Sequence, residues 1–300
     1  TGACPYPKRI LAISFKVDAS TNLKARVKKR SGVFLCSRFD SYTFHAFAKK
    51  IIDQFRVVLT GVDAIDADYK IGDRRVGSEQ IAFGDLIPLA IKVLQSSSIA
   101  LKAVRWTYSD VFLDEFQDCT EDQYTLIKIA FQGTSTRLTA VGDLKQRIMG
   151  WAGALEGVFA SYAADFNAIE LVLYRNFRSK PQILRVQNSI INFMDPASVM
   201  TEDQIAGNDG VVAIEGFTTS SEEAEFIANY IGNLVNFEGV LKSEIAVLVK
   251  SQIGLYTFEL RSALDQLGLA YRNEQELQDI TTQPIARLVA DFFLVVLGQK

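Results

Sequence analysis

The sequence predicts an α/β fold in which parallel β-sheets are flanked by helices and shared between two domains. Short apolar runs alternate with longer segments of helical apolar spacing, a pattern typical of parallel strands joined by crossover helices. The chain has 300 residues, of which 48% are hydrophobic and 22% are charged. This length and composition predict about two globular domains.

The elements of the first half follow from this periodicity in chain order. An apolar strand is predicted at residues 10–14, followed by a helix from a cap at Asp18 or Ser20 to about residue 30. Thr43 opens a helix that reaches about residue 55, and residues 57–82 are expected to form loops and weak structure. Further helices are predicted at 85–95, 99–106, 121–131 (with Thr120 as N-cap) and 180–193, and strands at 111–113, 136–141 and 169–173.

The second half restarts the alternation after Asp195-Pro196. Strands are predicted at 211–216 and 245–249, because both runs are short and apolar. Helices are predicted at 222–235, 255–267 and 284–297, and Pro284 suits the first turn of the last of these.

Composition excludes several classes of protein. No apolar run approaches the roughly 20 residues of a membrane-spanning helix, and no signal peptide is visible, so no membrane association is expected. The three cysteines lack metal-site spacing and are expected to be reduced thiols of a cytoplasmic protein. His45 is the single histidine, which excludes a multi-histidine metal site.

The most informative stretch is the apolar run at 111–113, which leads directly into Asp114 and Glu115. A buried parallel strand would deliver both carboxylates to its carboxyl end, where open α/β sheets bind ligands. This is the Walker B arrangement, in which Asp114 would hold Mg²⁺ and Glu115 would orient or deprotonate the attacking water. The alternative interpretation is an ordinary strand that ends in a polar turn.

Two further motifs suit phosphate chemistry. Gly142-Asp143 ends a predicted strand, and the amide of Gln146 could donate to a γ-phosphate oxygen, while Trp151 could stack on a nucleic-acid base. In Asn176–Ser179, Arg178 could act as an arginine finger and Phe177 could stack on adenine. The alternatives are a core tryptophan, a buried phenylalanine and an arginine salt bridge.

A basic segment lies upstream. Residues 24–50 contain eight basic side chains and one acidic one, although the net charge of the chain is −3. Within it, Thr43 and His45 at a helix start, followed by Lys49 and Lys50, suit a phosphodiester backbone. A solvated helix face and a capping or core histidine are the alternatives.

Taken together and in order, these motifs resemble those of the UvrD/Rep family of superfamily 1 DNA helicases. Asp114–Asp118 resembles motif II, Gly142–Ala154 resembles motif III, and Asn176–Ser179 resembles motif IV. Residues 10–27 and 43–47 are similar to motif Ia and to the family's Thr-x-His-Ser-Phe segment.

The resemblance implies a RecA-like (P-loop NTPase) fold in two incomplete domains. Residues 1–178 would form the first domain, without its P-loop and with a small helical insertion at about 50–106, and residues 179–300 would begin the second. It implies ATP and Mg²⁺ as ligands, and single-stranded DNA or a single-strand/duplex junction as partner. The implied activity is ATP-driven translocation and strand separation in DNA repair or recombination.

The resemblance also implies residue roles. Asp114 would bind Mg²⁺ and Glu115 would activate water. For the nucleotide, the implied γ-phosphate contacts are Gln146 and Arg178, and the implied adenine contact is Phe177. For single-stranded DNA, the implied contacts are Thr43, His45 and Trp151. Lys49 and Lys50 would lie near the DNA phosphates.

Several departures from the family pattern qualify these expectations. Residues 14–20 read Ser-Phe-Lys-Val-Asp-Ala-Ser instead of Thr-Phe-Thr-Asn-Lys-Ala-Ala, and Met149 and Ala152 replace the usual Tyr and Arg. No Gly-x-x-x-x-Gly-Lys-Ser/Thr is present, motifs V and VI are absent, and residue 1 is not Met, so the chain is interpreted as an internal fragment. A helicase subunit of a helicase-nuclease and a degenerate, non-catalytic DNA-binding module remain alternatives.

Overall fold

The computed structural model of the protein describes residues 4–147, 150, 153–171, 173, 176–273, 289 and 292. The chain divides into two compact units, Thr1–Leu173 and Tyr174–Lys300, whereas the sequence-based boundary was placed at residue 178. Apart from residues 289 and 292, the helix predicted at 284–297 lies outside the described residues.

The described strands all belong to the first unit. They are β1 (Arg9–Ser14), β2 (Phe39–Thr43), β3 (Lys70–Gly72), β4 (Gln80–Ala82), β5 (Tyr108–Leu113) and β6 (Arg137–Ala140). The main sheet has the order β2-β1-β5-β6 and all its pairings are parallel, so the predicted parallel α/β sheet is confirmed. Strands β3 and β4 form a separate two-stranded sheet within the segment expected to be mostly loop.

Helices of the first unit cover this sheet. They are α1 (Val17–Cys36), α2 (Phe44–Phe55), α3 (Leu86–Ser96), α4 (Ser98–Thr107), α5 (Glu121–Phe131) and α6 (Val158–Phe166). Leu11, Ile13, Val111 and Leu113 of the central strands are at most 1% exposed and form one core with the apolar faces of α2, α3 and α5. These four residues alternate along their strands and so share one face of the sheet, which explains why the apolar positions there are fully buried, whereas Phe112 on the other face of β5 is 43% exposed.

The second unit is described as helices joined by irregular segments. The helices are α7 (Pro181–Met194), α8 (Glu202–Ile205), α9 (Ser220–Asn236), α10 (Ile253–Tyr256) and α11 (Phe258–Gln266). A small core lies between α9 and α11 and contains Ala224, Ala228, Leu260, Leu264 and Leu269.

Three predicted strands are wrong. The described residues of 169–173, 211–216 and 245–249 form no β-pairing, and most of their apolar side chains face solvent, as with Ile214 and Leu248, both 91% exposed. Apolar composition predicted them, but a strand also needs a neighbour to satisfy its backbone groups, and none is present among the described residues.

Several elements were missed and one begins elsewhere. Strand β2 and helices α6 and α8 were not predicted, and neither were the short strands β3 and β4. Helix α1 starts after Lys16, without a side-chain cap at Asp18 or Ser20, and continues to Cys36 across a non-helical Gly32 with φ 79°. Glycine tolerates this left-handed conformation, which is why the chain can break the helix there.

Among the described residues, no single helix is long and apolar enough to cross a membrane, although the pair Phe83–Ser96 and Ser98–Thr107, bent by 105°, meets the length and composition criteria jointly.

Candidate active site at the carboxyl edge of the sheet

The carboxyl end of β5 places two adjacent carboxylates at the edge of the main sheet. The backbone N–H of Asp114 donates to the carbonyl of Ile13 at 2.9 Å, so β1 and β5 stay paired up to the point where the carboxylates emerge. The side chains of Asp114 and Glu115 are exposed, and in the described part of the chain neither forms an ion pair. Partial burial and the negative charge of Glu115 raise the pKa of the Asp114 carboxyl group.

The turn after β5 is strained and firmly anchored. Glu115 adopts the left-handed conformation, with φ 51° and ψ 42°, which is uncommon for a residue with a side chain. The next residue, Phe116, is 1% exposed and packs edge-on against the rings of Phe159 and Tyr162, with centroid distances of 5.6 and 5.4 Å. This aromatic packing keeps Glu115 in its conformation because the turn cannot shift without unpacking the ring.

A buried amide links this turn to the loop after β6. Gln117 is 1% exposed, and its Nε2 donates to Oε2 of Glu115 at 2.8 Å. Its Oε1 accepts from the backbone N–H of Asp143 at 3.1 Å. The side chain of Gln117 therefore joins the candidate water-activating carboxylate to the candidate phosphate-sensing loop.

The loop after β6 holds Gln146 at the same edge. The carboxylate of Asp143 accepts from the backbone N–H of Lys145 and from Nε2 of Gln146, both at 3.0 Å. Gln146 is exposed. A continuous series of hydrogen bonds thus runs from Glu115 through Gln117 and Asp143 to Gln146.

The residues at this edge fit a hard divalent cation. Asp114 offers an exposed carboxylate that pairs with no cation among the described residues, and burial together with the charge of Glu115 raises its pKa. The described residues contain no group of three or more His, Cys, Asp or Glu side chains arranged for a metal. The Asp114 carboxylate is a donor that Mg²⁺ can use, since this ion commonly takes one or two carboxylates and completes its shell with water and phosphate oxygens.

Phe177 and Arg178 belong to the second unit. The side-chain oxygen of Asn176 accepts from the backbone N–H groups of Arg178 and Ser179, at 2.9 and 3.0 Å, and so fixes a tight turn. Phe177 is 83% exposed, so its ring is accessible at the surface of this unit. The grouping of Arg178 with Asp114 and Gln146 stays a prediction.

Thr43 and His45 lie where β2 passes into α2. Oγ1 of Thr43 caps the helix by accepting from the backbone N–H of Ala46 at 3.2 Å. The imidazole of His45 stacks on Phe83 with ring centroids 4.2 Å apart, and burial lowers its pKa. His45 also lines a cavity of about 310 Å³ together with Asp118, which is 8% exposed and whose Oδ1 lacks a hydrogen-bond partner among the described residues.

The two lysines of α2 differ sharply in their surroundings. Lys49 pairs with the exposed Asp53 at 2.6 Å. Lys50 is partly buried, and its ammonium contacts Asp40 at 3.1 Å and the hydroxyl of Tyr108 at 3.0 Å. Although burial lowers it, the pKa of Lys50 is raised overall by these two contacts. Trp151, the remaining predicted DNA contact, lies outside the described residues.

Sequence reasoning gave no role to Gln117 or Asp143. Both lie inside the stretches that resemble motifs II and III, at residues 114–118 and 142–154. The bond between them joins residues 26 positions apart, so no local pattern reports it.

A parallel sheet whose carboxyl edge carries adjacent carboxylates and a linked amide is the arrangement of a nucleotide-hydrolysing α/β protein. Residues 62–167 match the family model of the UvrD/REP helicase N-terminal domain, and residues 171–285 match that of the UvrD-like helicase C-terminal domain. The chain belongs to the UvrD/Rep-like family of superfamily 1 helicases, whose domains are RecA-like.

Curated relatives agree with this assignment. The chain is 32% identical to the ATP-dependent DNA helicase PcrA of Leuconostoc citreum over 178 residues, which is 58% of this chain and 23% of that protein. It is 28% identical to the PcrA of Bacillus subtilis over 231 residues, 73% of this chain and 30% of that protein. A probable DNA helicase II homolog of Mycoplasma capricolum is 25% identical over 253 residues, 79% and 34% of the two chains. The matched region thus spans about a third or less of each of these relatives.

Proposed function

We propose that this protein is an ATP-dependent DNA helicase that moves on single-stranded DNA and couples ATP hydrolysis to strand separation in DNA repair or recombination. The observation that carries the proposal is the exposed Asp114-Glu115 pair at the carboxyl edge, of which Glu115 is connected to Gln146 by hydrogen bonds through Gln117 and Asp143. The match to both UvrD-type domain models, and the relatives named as ATP-dependent DNA helicases, support it.

The first-unit residues would act on the nucleotide as follows. Glu115 accepts a proton from the attacking water, since its carboxylate is exposed and its orientation is held by the amide of Gln117. Gln146 exchanges its bond to Asp143 for one to a γ-phosphate oxygen, and so responds to loss of that phosphate. Asp114 would hold Mg²⁺, which when bound supplies positive charge to the phosphate oxygens.

The second-unit residues would complete the site. Arg178 carries a permanent positive charge that can stabilise the transferring phosphoryl group, and Phe177 presents an exposed ring on which adenine can stack. Hydrolysis would release both Gln146 and Arg178 from the phosphate, and this release would advance the protein along the strand.

The single strand would pass the start of α2. Thr43 and His45 lie there, beside the cavity of about 310 Å³ that His45 lines. Trp151 would stack on another base, and the phosphates would pass Lys49 and Lys50. Of the two lysines, Lys49 is the more available, because the ion pair that it forms within the described residues is with the exposed Asp53.

The DNA contact has a direct test. Trp151→Ala should weaken binding of labelled oligo(dT) by about 1–3 kcal/mol, the usual contribution of one base stack. Fluorescence anisotropy across a salt series measures it. If the variant binds like the wild type at every salt concentration, the proposed course of the strand is wrong.

The enzymatic function is tested by steady-state ATP hydrolysis and by unwinding of a forked duplex, both with the full-length protein. We expect hydrolysis that oligo(dT) stimulates, and loss of both activities in Asp114→Asn because the amide is a poor ligand for Mg²⁺. Asp68→Asn is the matched control, since Asp68 is exposed in the segment before β3. DNA binding without any ATP hydrolysis would instead support a non-catalytic module.

The 300 residues taken alone are expected not to turn over ATP. They contain no Gly-x-x-x-x-Gly-Lys-Ser/Thr, so they lack the backbone amides and lysine that cradle the β- and γ-phosphates. Malachite-green detection of phosphate release measures this. Robust hydrolysis by residues 1–300 would show that the site is misplaced.

A further inference from the structure

Gln117 is an unusual residue in the candidate site because a buried amide stands between exposed catalytic groups. It is 1% exposed, whereas Glu115 and Gln146 are both exposed. A buried amide is costly unless its polar atoms form hydrogen bonds. Both ends of the Gln117 side chain do so, and they contact two different segments of the chain.

The orientation of this amide is determined by its partners. The backbone N–H of Asp143 can only donate, so the oxygen of the Gln117 amide must face it. The NH₂ group then faces Glu115, whose ionised carboxylate can only accept. A flipped amide would oppose donor to donor and acceptor to acceptor, so this arrangement holds the carboxylate in one direction.

Gly142 brings the loop after β6 into direct contact with the same amide. A Cβ atom built on Gly142 would lie 2.2 Å from Oε1 of Gln117 and 3.1 Å from the backbone nitrogens of Phe116 and Gln117. Only glycine leaves room for this approach. The turn after β5 and the loop after β6 therefore pack directly against each other at the Gln117 amide.

We propose that Gln117 is a positioning residue that holds the Glu115 carboxylate and the loop at 142–146 at one fixed spacing. Through this spacing the water-activating group and the phosphate-contacting amide of Gln146 are aligned on the same γ-phosphate. The inference rests on the proposed ATP hydrolysis, and it adds a component to which neither the sequence motifs nor the relatives' names assign a role.

The first test is kinetic and uses the full-length protein. Gln117→Met keeps the length of the side chain but removes both hydrogen bonds, and should lower kcat for ATP about 10- to 100-fold with little change in KM. Gln117→Glu keeps an acceptor for Asp143 but replaces the donor to Glu115 by a second carboxylate that repels it. This variant should also lower kcat, because the Glu115 carboxylate turns away from its position.

The second test needs no nucleotide and uses the 300-residue chain. In Gln117→Met, the backbone N–H of Asp143 loses its acceptor and should exchange with solvent at least about tenfold faster. The N–H of Val141 is the internal control, because it donates to the carbonyl of Leu113 at 2.8 Å and is untouched by the change. Gln132→Met is the matched variant, since this glutamine bonds to Asp165 and is remote from the edge.

The outcomes separate the two proposals. If Glu115→Gln hydrolyses ATP at the wild-type rate, the proposed hydrolytic site is wrong. If Glu115→Gln is inactive while Gln117→Met keeps the wild-type kcat and Asp143 exchange, the positioning role alone is overturned. Should Gln117→Met fail to fold, Gly142→Ala displaces the same amide, and the inference requires it to lower kcat as well.

Discussion

Carboxylates lie at both ends of the parallel strands of the main sheet, that is, at its amino edge and at its carboxyl edge, but their surroundings are opposite. At the amino edge, Asp40 is buried and is held by Arg9 at 2.6 Å, by Lys50 at 3.1 Å and by the hydroxyl of Tyr108 at 2.9 Å. At the carboxyl edge, Asp114 and Glu115 are exposed and, within the described ranges, have no cationic partner.

The pKa directions express the same contrast. Burial acts to raise the pKa of Asp40, but Arg9 and Lys50 outweigh it, and the pKa is lowered overall. The pKa of Asp114 is raised by partial burial and by Glu115. Charge that the fold compensates contributes to stability, whereas charge left uncompensated at a sheet edge is available to a cation or to proton transfer.

The largest expected effect is on stability at the amino edge. Asp40→Ala leaves two partly buried cations without their shared carboxylate, and should lower the free energy of unfolding by about 3–5 kcal/mol. Asp114→Ala should change it by less than about 0.5 kcal/mol. Urea unfolding of the 300-residue chain, followed by circular dichroism, measures both changes. Equal losses of unfolding free energy in the two variants would contradict the difference between the two edges.

The pH dependence of stability should run in opposite directions at the two edges. Because the folded pKa of Asp40 is lowered below 3.8, its contribution is complete at neutral pH and is lost as the pH falls through the folded pKa. The difference in unfolding free energy between wild type and Asp40→Asn should therefore shrink by about 1 kcal/mol or more between pH 6 and pH 3.

For Asp114 the pH dependence of the unfolding free energy has the opposite sign. Its folded pKa is raised, so the ionised form costs stability at neutral pH and that cost disappears as the pH falls. Asp114→Asn should thus be slightly more stable than wild type at pH 7 and equal to it near pH 3, in the same urea titrations. A variant that is less stable at pH 7 would mean that the carboxylate is compensated after all.

The smallest expected effect is a difference between the two lysines of α2 in the salt dependence of DNA binding. Lys49→Ala should lower the salt dependence of oligo(dT) binding by about one ion, because its exposed pair with Asp53 can be exchanged for a phosphate. Lys50→Ala should change this slope less and cost more stability, because its ammonium is bound to buried Asp40. Equal slopes for the two variants would contradict the assignment of Lys50 to the amino edge.

Patterns of neighbouring residues predicted much of this structure. The elements that were missed depend on contacts between residues that are far apart in the sequence. The strand at 111–113, the Thr120 cap and the helix opened by Thr43 were all predicted and all form, since neighbouring residues alone determine them. Strand β2 was missed because Asp40 interrupts its apolar pattern, and the hydroxyl that helps to compensate Asp40 comes from Tyr108, 68 residues away.

The candidate site divides in the same way. Asp114, Glu115 and Gln146 were predicted because each directly follows an apolar strand or turn signal. Gln117 was not, since its role depends on Asp143 across 26 positions and on the absence of a side chain at Gly142. The wrong strands, such as that at 211–216, show the converse: an apolar run does not specify the neighbour that a strand must pair with.

The central claim is that the uncompensated carboxyl edge is where ATP is hydrolysed, and Glu115→Gln in the full-length protein tests it most directly. Steady-state hydrolysis in the presence of oligo(dT) is compared with Glu79→Gln, a matched change at an exposed glutamate near β4. We predict that Glu115→Gln lowers kcat by about 10²–10⁴-fold and still binds nucleotide, because the amide keeps the shape of the side chain but cannot accept the proton. Wild-type turnover by Glu115→Gln would contradict the account.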